Sequence, residues 1–158
     1  SGGVLWGNGT KEELKKAEIF KKFKEKNQLA YNSSISKIQK ELQIDYYDPN
    51  TDKITSFTKR DNKIISQESE VFRKEKIEIP ELKLDKIKIT LKAIEDIIAM
   101  KYQEIPTKKI FILQQKESPI WNITYLTQSL NILNMKINAE TGQIIEEKIE
   151  SAMNFQKK

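Results

Sequence analysis

The sequence predicts an α+β protein in which helices pack on antiparallel β-meanders, in one unit or in two such units in tandem. Three observations predict it. "KEELKKAEIFKKFKEKNQ" and "ITLKAIEDIIAMKYQ" carry apolar residues at helical spacing. The last third of the chain alternates apolar and polar residues in short runs, as half-buried strands do. The links between those runs are short and polar, which suits neighbours running in opposite directions.

Taken in order, Thr10 offers an N-cap and Glu13 completes a capping box. Leu14, Ala17, Phe20 and Phe23 then share one face, with Ile19 beside them, and Glu12–Lys16 and Glu18–Lys22 are favourable i,i+4 pairs. One helix is expected to about Gln28. It is amphipathic and basic, but its apolar face is narrow, so it is read as packing on a sheet rather than lying on a membrane. "NSSISKIQKELQI" offers Ser33 or Ser34 as a cap and then Ile35, Ile38 and Leu42, which reads as a short second helix or as the passage into a strand. Three strands follow, "QIDYYD", "KITSFTKR" and "KIISQESEVF", separated by the turns "PNTD" and "DN". Pro49 suits the first corner of a type I turn and Asp48 the position before it.

"KEKIEIPELKLD", broken by Pro80, reads as a connector with room for one edge strand. The next helix is capped by Thr90 or Asp85, carries Ile87, Leu91, Ile94 and Ile98, and stops before Pro106. "KKIFILQQ" suits a central strand. "SPIWNITYLT" turns Trp121, Ile123 and Tyr125 one way, and "NILNMKIN" turns Leu133, Met135 and Ile137 inward. The polar turn Ala139-Glu140-Thr141-Gly142, with Gly142 free to take positive φ, leads to the return strand "QIIEEKIE". These elements divide the chain into a tail or anchor-proximal linker (1–10), a helix-plus-hairpin unit (11–80) and a helix-plus-four-strand unit (81–158). "DPNTDKI" and "NAETGQI" echo each other, which leaves an internal repeat open.

The 158 residues are 37% hydrophobic and 32% charged, with a formal charge of +5. Nearly all the positive charge is lysine; Arg60 and Arg73 are the two arginines. Phosphate and base recognition favour the planar arginine fork, so the lysine excess reads as a solvated surface before it reads as a nucleic-acid site. The chain has no cysteine and no histidine. That excludes disulfides, thiol nucleophiles and Ser-His-Asp triads, and leaves zinc only carboxylates. No cofactor is expected. No run of about twenty apolar residues occurs, so no segment reads as a spanning helix. The Gly-rich start "SGGVLWGNGT" reads either as a flexible tail or as the juncture below a removed signal or anchor, where a Trp commonly sits.

"PIWNITYLTQSLNILNMKINAETGQIIEEK" resembles the end of a PepSY-type module. The matching positions are Ile89, Thr90, Leu91, Ala93 and Ile94 at a helix start, Trp121, Ile123 and Tyr125 on a strand, and Ile137, Asn138, Ala139, Thr141, Gly142 and Ile144 around the last turn. The likeness covers roughly residues 85 to 150 and departs at Asn138, where an Asp is usual. It implies a PepSY/cystatin-like helix on a four-stranded meander. A tandem arrangement is also similar to small membrane-anchored bacterial proteins with two such modules. The implied protein is extracytoplasmic and non-enzymatic, with proposed roles in restraining peptidases or binding envelope partners. No site residue comes with it.

Candidate chemistry is thin. "DPNTD" starts like a calcium loop, but Lys53 and Lys59 stand where Gly and a bidentate Glu are needed, so it reads as a β-turn. Glu68 with Glu70, and Glu146, Glu147 and Glu150, read as solvated strand faces rather than as catalytic carboxylate pairs. Tyr46, Tyr47, Phe57, Trp121 and Tyr125 are read first as core. If any aromatic is exposed, Trp6, Tyr47 and Trp121 are the candidates for a contact surface, stacking on single-stranded nucleic acid or lining a peptide groove. Asn8, Asn32 and Asn122 each begin a glycosylation acceptor pattern, a slight pointer to the exterior. The expected function is a non-enzymatic extracytoplasmic domain that binds a protein or peptide at the cell envelope, through a sheet edge or a concave sheet face. The alternatives are a basic nucleic-acid-associated module, which would be cytoplasmic, and a small enzyme using carboxylates and lysine. Oligomeric state is left open.

Overall fold

Two short helices, α1 (Thr10–Lys16) and α2 (Glu18–Lys26), precede four strands, β1 (Tyr31–Ile38), β2 (Glu41–Asp48), β3 (Lys53–Arg60) and β4 (Lys63–Glu70). A third helix, α3 (Leu91–Lys101), precedes four more, β5 (Pro106–Gln115), β6 (Pro119–Thr127), β7 (Asn131–Asn138) and β8 (Ile144–Ser151). Single 3₁₀ turns lie at Leu84–Lys86 and Ala152–Phe155. This computed structural model describes residues 10–71 and 78–155. Trp6, Asn8 and the cap side chain of Thr10 lie outside the described residues, as does the part of the connector from 72 to 77.

Every described strand joins one antiparallel sheet, in the order β4-β3-β2-β1-β5-β6-β7-β8. Each half is a meander, and the first strands of the two halves lie side by side, Ser34–Ile38 against Ile110–Gln114. Just under half of the described residues are strand and under a quarter helix. The α+β, PepSY/cystatin-like expectation is therefore overturned in favour of a sheet-dominated antiparallel fold. The physical reason is the fourth N-terminal strand and the β1–β5 pairing. Together they fuse two meanders into a sheet too broad for helices of 7, 9 and 11 residues to define the architecture.

Two local corrections underlie that result. "NSSISKIQ" is strand β1, not a helix. Ile35 faces the core at 1% exposure while Ile38, three residues on, faces outward at 44%. Their helical spacing is a coincidence that strand alternation resolves onto opposite faces. The N-terminal helix is also broken. Ala17 adopts an extended conformation (φ −71°, ψ 137°), and its carbonyl accepts the amides of Phe20 and Lys21 to start α2. The bend lets α1 and α2 follow the twisted sheet. Phe20 meets Tyr46 and Phe57 edge-on at 5.0 and 5.4 Å, and Phe23 meets Phe57 at 5.2 Å.

The helices cover one face. Leu14, Phe20, Leu91, Ile94 and Ile98 are buried there against the row Phe57–Ile44–Ile35–Leu113–Trp121–Ile137, whose members are register partners across six strands. As the alternation predicts, β6 buries every second residue, and Leu133, Met135 and Ile137 are all buried. Thr90 caps α3 by accepting the Ala93 amide at 3.1 Å. In the described part of the connector no strand forms. Leu82, Lys88 and Ile89 instead donate their amides to Asn32 and Ala139, which pins the segment along one end of the sheet.

The turns explain the sequence echo. Asp48 accepts the Asn50 amide on its carboxylate at 2.8 Å, and the Asp52 amide closes onto the Asp48 carbonyl at 2.8 Å, with Asp52 at φ 58°. Asn138 accepts the Glu140 amide on its side chain at 2.9 Å, and the Gly142 amide closes onto the Asn138 carbonyl at 2.8 Å, with Gly142 at φ 84°. One turn joins β2 to β3 and the other joins β7 to β8, which are not equivalent places in the two meanders. The echo is shared turn chemistry.

Candidate binding cleft

On the helix side, α3 does not seal the sheet. Below its outer face lies a hollow of about 360 Å³ lined by Glu95, Tyr102, Glu104, Lys109, Tyr125 and Leu133, among others. A second, shallower hollow of about 540 Å³ adjoins it over the central strands, lined by Lys37, Gln39, Lys40 and Phe111. Glu95 and Lys109 line both. Strand parity builds the floor: Lys37 and Phe111 are register partners on the inner face, as are Lys109 and Tyr125. The β1–β2 turn forms one rim, where Gln39 sits at φ 56° and is tied to β5 by bonds to the Lys109 amide and carbonyl.

Lys109 bonds Glu95 at 2.9 Å and stands 5.5 Å from the centre of the Tyr125 ring. Both charged side chains remain more than a third exposed, so the pair faces the two hollows rather than lying beneath them. Burial, and then the Glu95 charge, push the Tyr125 hydroxyl pKa up and keep it protonated. At the far end Glu104 accepts from Ser129, from Asn131 at 2.8 Å and from Thr127 at 3.2 Å. The Ser129 bond, followed by that of Asn131, holds its carboxyl below the usual range. Lys92 pairs with Asp96 at 2.9 Å, which raises the lysine pKa. Each shift named here stabilises the state the group already holds at neutral pH.

The aromatic residues put forward for a contact surface lie elsewhere. Trp121 is fully buried and donates its indole N–H to the Ile89 carbonyl at 2.9 Å. Tyr47 is 3% exposed, packs on Tyr31 and donates to Asp52 at 2.6 Å. Neither can present a contact surface, because each ring completes the fold. Tyr46, Phe57 and Tyr125 are buried as well, which removes the strand-borne stacking platform that a nucleic-acid interface would use. Asn32 is also buried, so its acceptor pattern is closed to modification, and Asn122 is engaged by Asn134 at 3.0 Å. Among the described residues no cluster of carboxylates is placed to hold a metal ion.

Sequence reasoning missed Lys37, Glu95, Glu104 and Lys109, which are the residues that shape the cleft. They come from separate elements and carry no motif. The one legible signal is Lys109, a charge two residues before Phe111 on the inward parity of a central strand.

No family model matches the chain, and no curated protein does. A crystal structure of a candidate lipoprotein from Clostridium difficile 630 superposes with a TM-score of 0.60, covering 84% of this chain and 91% of that one at 12% identity. That protein and this chain share a fold. Among the described residues no helix is long and apolar enough to cross a membrane.

Proposed function

We propose that this chain is a non-enzymatic binding domain of the cell envelope whose cleft takes a segment of protein or peptide. The observation that carries the reading is the Lys109–Glu95 pair, which lines two adjoining hollows at once, with Lys109 over the Tyr125 ring. A partly exposed pair of opposite charges between two hollows offers an extended peptide one donor and one acceptor within a short span. A binding role suits the cleft chemistry, since its perturbed groups are locked in their resting protonation states rather than poised near neutrality. The envelope location is supported by the clostridial protein of like fold, described as a candidate lipoprotein. The resemblance of residues 85–150 to a PepSY-type module implies the same location, and Thr90 and Trp121, two of the positions that carry it, serve here as cap and core anchor. Restraint of a peptidase is one role of this kind.

The test is selection of phage-displayed random peptides on the folded chain, followed by amide-shift mapping of the enriched peptides. Shifts at Lys37–Lys40, Glu95–Gln103 and Lys109–Phe111, with about tenfold weaker binding to Lys109→Glu, are expected. Absence of enrichment, or shifts confined to the opposite sheet face, would overturn the reading.

A further inference from the structure

A third hollow, of about 590 Å³, shares no lining residue with the two described above. Side chains of α1, α2 and the 81–85 segment wall it, and Asn32 and Tyr46, register partners on β1 and β2, line it from the sheet. Asn32 is 7% exposed, and its side-chain nitrogen donates to the carbonyls of Asp45 at 2.8 Å and Ser34 at 3.0 Å. Only the nitrogen can serve two carbonyls, so the orientation of this amide is fixed. Its oxygen is turned away from them, and among the described residues nothing donates to it. A buried carboxamide oxygen without a donor is rare, because it forfeits the hydrogen bond it makes in water. The cause is a bulge. Ser33 is an extra residue between the pairs Asn32–Tyr46 and Ser34–Asp45, and a bulge re-aims the side chains beside it. The Leu82 amide, bonded to the Asn32 carbonyl at 2.9 Å, holds the residue there.

The wall of the hollow is cationic. Lys11 and Lys15 line it from α1, one turn apart, and neither has an ion-pair or hydrogen-bond partner among the described residues. Two like charges at this spacing disfavour each other. Burial, and then the Lys15 charge, lower the Lys11 pKa, while Glu12 and Glu81 oppose the shift without reversing it. Lys24 lines the hollow from α2; its ammonium donates to the Ala30 carbonyl at 2.8 Å and keeps further N–H groups to offer. The lining carboxylates, Glu81 and Asp85, are both exposed, and Lys83 engages Glu81 at 3.5 Å.

We infer that this hollow binds a small phosphate ester with a free hydroxyl close to the phosphate. The phosphate meets Lys11, Lys15 and Lys24, and the hydroxyl donates to Asn32 Oδ1. Two lysines without counter-charge favour a ligand with about two negative charges, which a phosphate monoester carries near neutrality and a single carboxylate does not. Lysine meets phosphate as a point charge, so no arginine fork is required. The Asn32 oxygen adds a second demand. The oxygens of a phosphate dianion only accept, so the donor must come from another group of the same ligand. The volume lies within the range of small-ligand sites. This site and the peptide cleft have no residue in common, so either reading can fail alone.

The experiment titrates glycerol 3-phosphate, methyl phosphate and glycerol at pH 8 into the isotope-labelled chain and follows amide shifts. Glycerol 3-phosphate should give saturable shifts at Lys11–Lys15, Lys24, Tyr31–Asn32 and Tyr46. Methyl phosphate keeps the charge without the hydroxyl, and glycerol keeps hydroxyls without the charge; each should bind about tenfold more weakly or worse. Lys15→Glu changes an exposed side chain and should weaken glycerol 3-phosphate by about tenfold as well. The ligand series uses the wild type, so the test stands even if that variant fails to fold. No saturable shift, or shifts only elsewhere, would overturn the inference. So would methyl phosphate binding as tightly as glycerol 3-phosphate, or a folded Lys15→Glu that binds undiminished.

Discussion

Trp121 and Ile89 are joined by a 2.9 Å hydrogen bond from the indole N–H to the backbone carbonyl, across 32 residues of sequence. The bond ties the middle of the sheet to the segment that enters α3. Trp121→Phe keeps an aromatic ring but leaves that carbonyl without its donor, and should lower stability by about 1–3 kcal/mol. Trp121→Ala also opens a cavity in a fully buried position and should lose about 3–5 kcal/mol. Urea unfolding followed by circular dichroism checks both. A Trp121→Phe variant as stable as wild type would show that the bond contributes nothing net.

At the β7–β8 turn the Asn138 side-chain oxygen accepts the amides of Glu140 and Thr141, at 2.9 and 3.0 Å. An aspartate offers the same oxygen, so Asn138→Asp should stay within about 0.5 kcal/mol of wild type, whereas Asn138→Ala should lose about 1–2 kcal/mol. Gly142→Ala should lose about 1 kcal/mol or more. It forces positive φ on a side chain and brings the new Cβ to 3.3 Å from Ile89 Cδ1. Thermal melts of the three variants separate the side-chain bond from the backbone requirement.

Glu104 makes the acid limb of stability testable. Its folded pKa lies below the ordinary 4.5, chiefly through the Ser129 bond and then that of Asn131. A depressed carboxylate contributes stability that is fully present above the unfolded value and is lost as pH falls through the folded one. Melting temperature should therefore fall below about pH 4.5 less steeply in Glu104→Gln than in wild type. Parallel profiles would show that Glu104 is not part of the acid response.

Tyr46 contributes to the alkaline side, along with Tyr125. Burial pushes the Tyr46 pKa from 10 up to about 12. A raised value means the contribution is whole below pH 10 and is lost progressively as pH rises toward 12, on the order of 2 kcal/mol in all. Tyr46→Phe should match wild type near neutrality and retain more stability above pH 10. Equilibrium unfolding at a series of alkaline pH values tests this, and an unchanged alkaline slope would contradict it.

The C-terminal half was legible because its signals agree. The alternation of "PIWNITYLT" reports a strand with one wet face, and Thr90 and Pro106 bracket α3 with the chemistry that each position needs. β1 was illegible for a physical reason. "NSSISKI" is mostly small and polar, and it is a strand because β2 and β5 supply hydrogen-bond partners on both sides. That is a tertiary gain which local propensity does not contain. The break at Ala17 was hidden in the same way, since alanine favours helix and is overridden by the packing of Leu14 and Phe20. The cleft was invisible because Lys37, Glu95 and Lys109 read singly as solvated charges, and only the β1–β5 register and the placement of α3 bring them together.

The five-residue pairing of β1 with β5 is the shortest ladder in the sheet, and it is also the seam between the two meanders. The helices lie to either side of that line, and the segment that enters α3 bridges it through the amides of Leu82, Lys88 and Ile89. A pull applied between α1 and β8 crosses the strands rather than running along them, so it would strip those bonds one after another instead of loading them together. The molecule should therefore yield first at its centre, swinging open as two stiff wings.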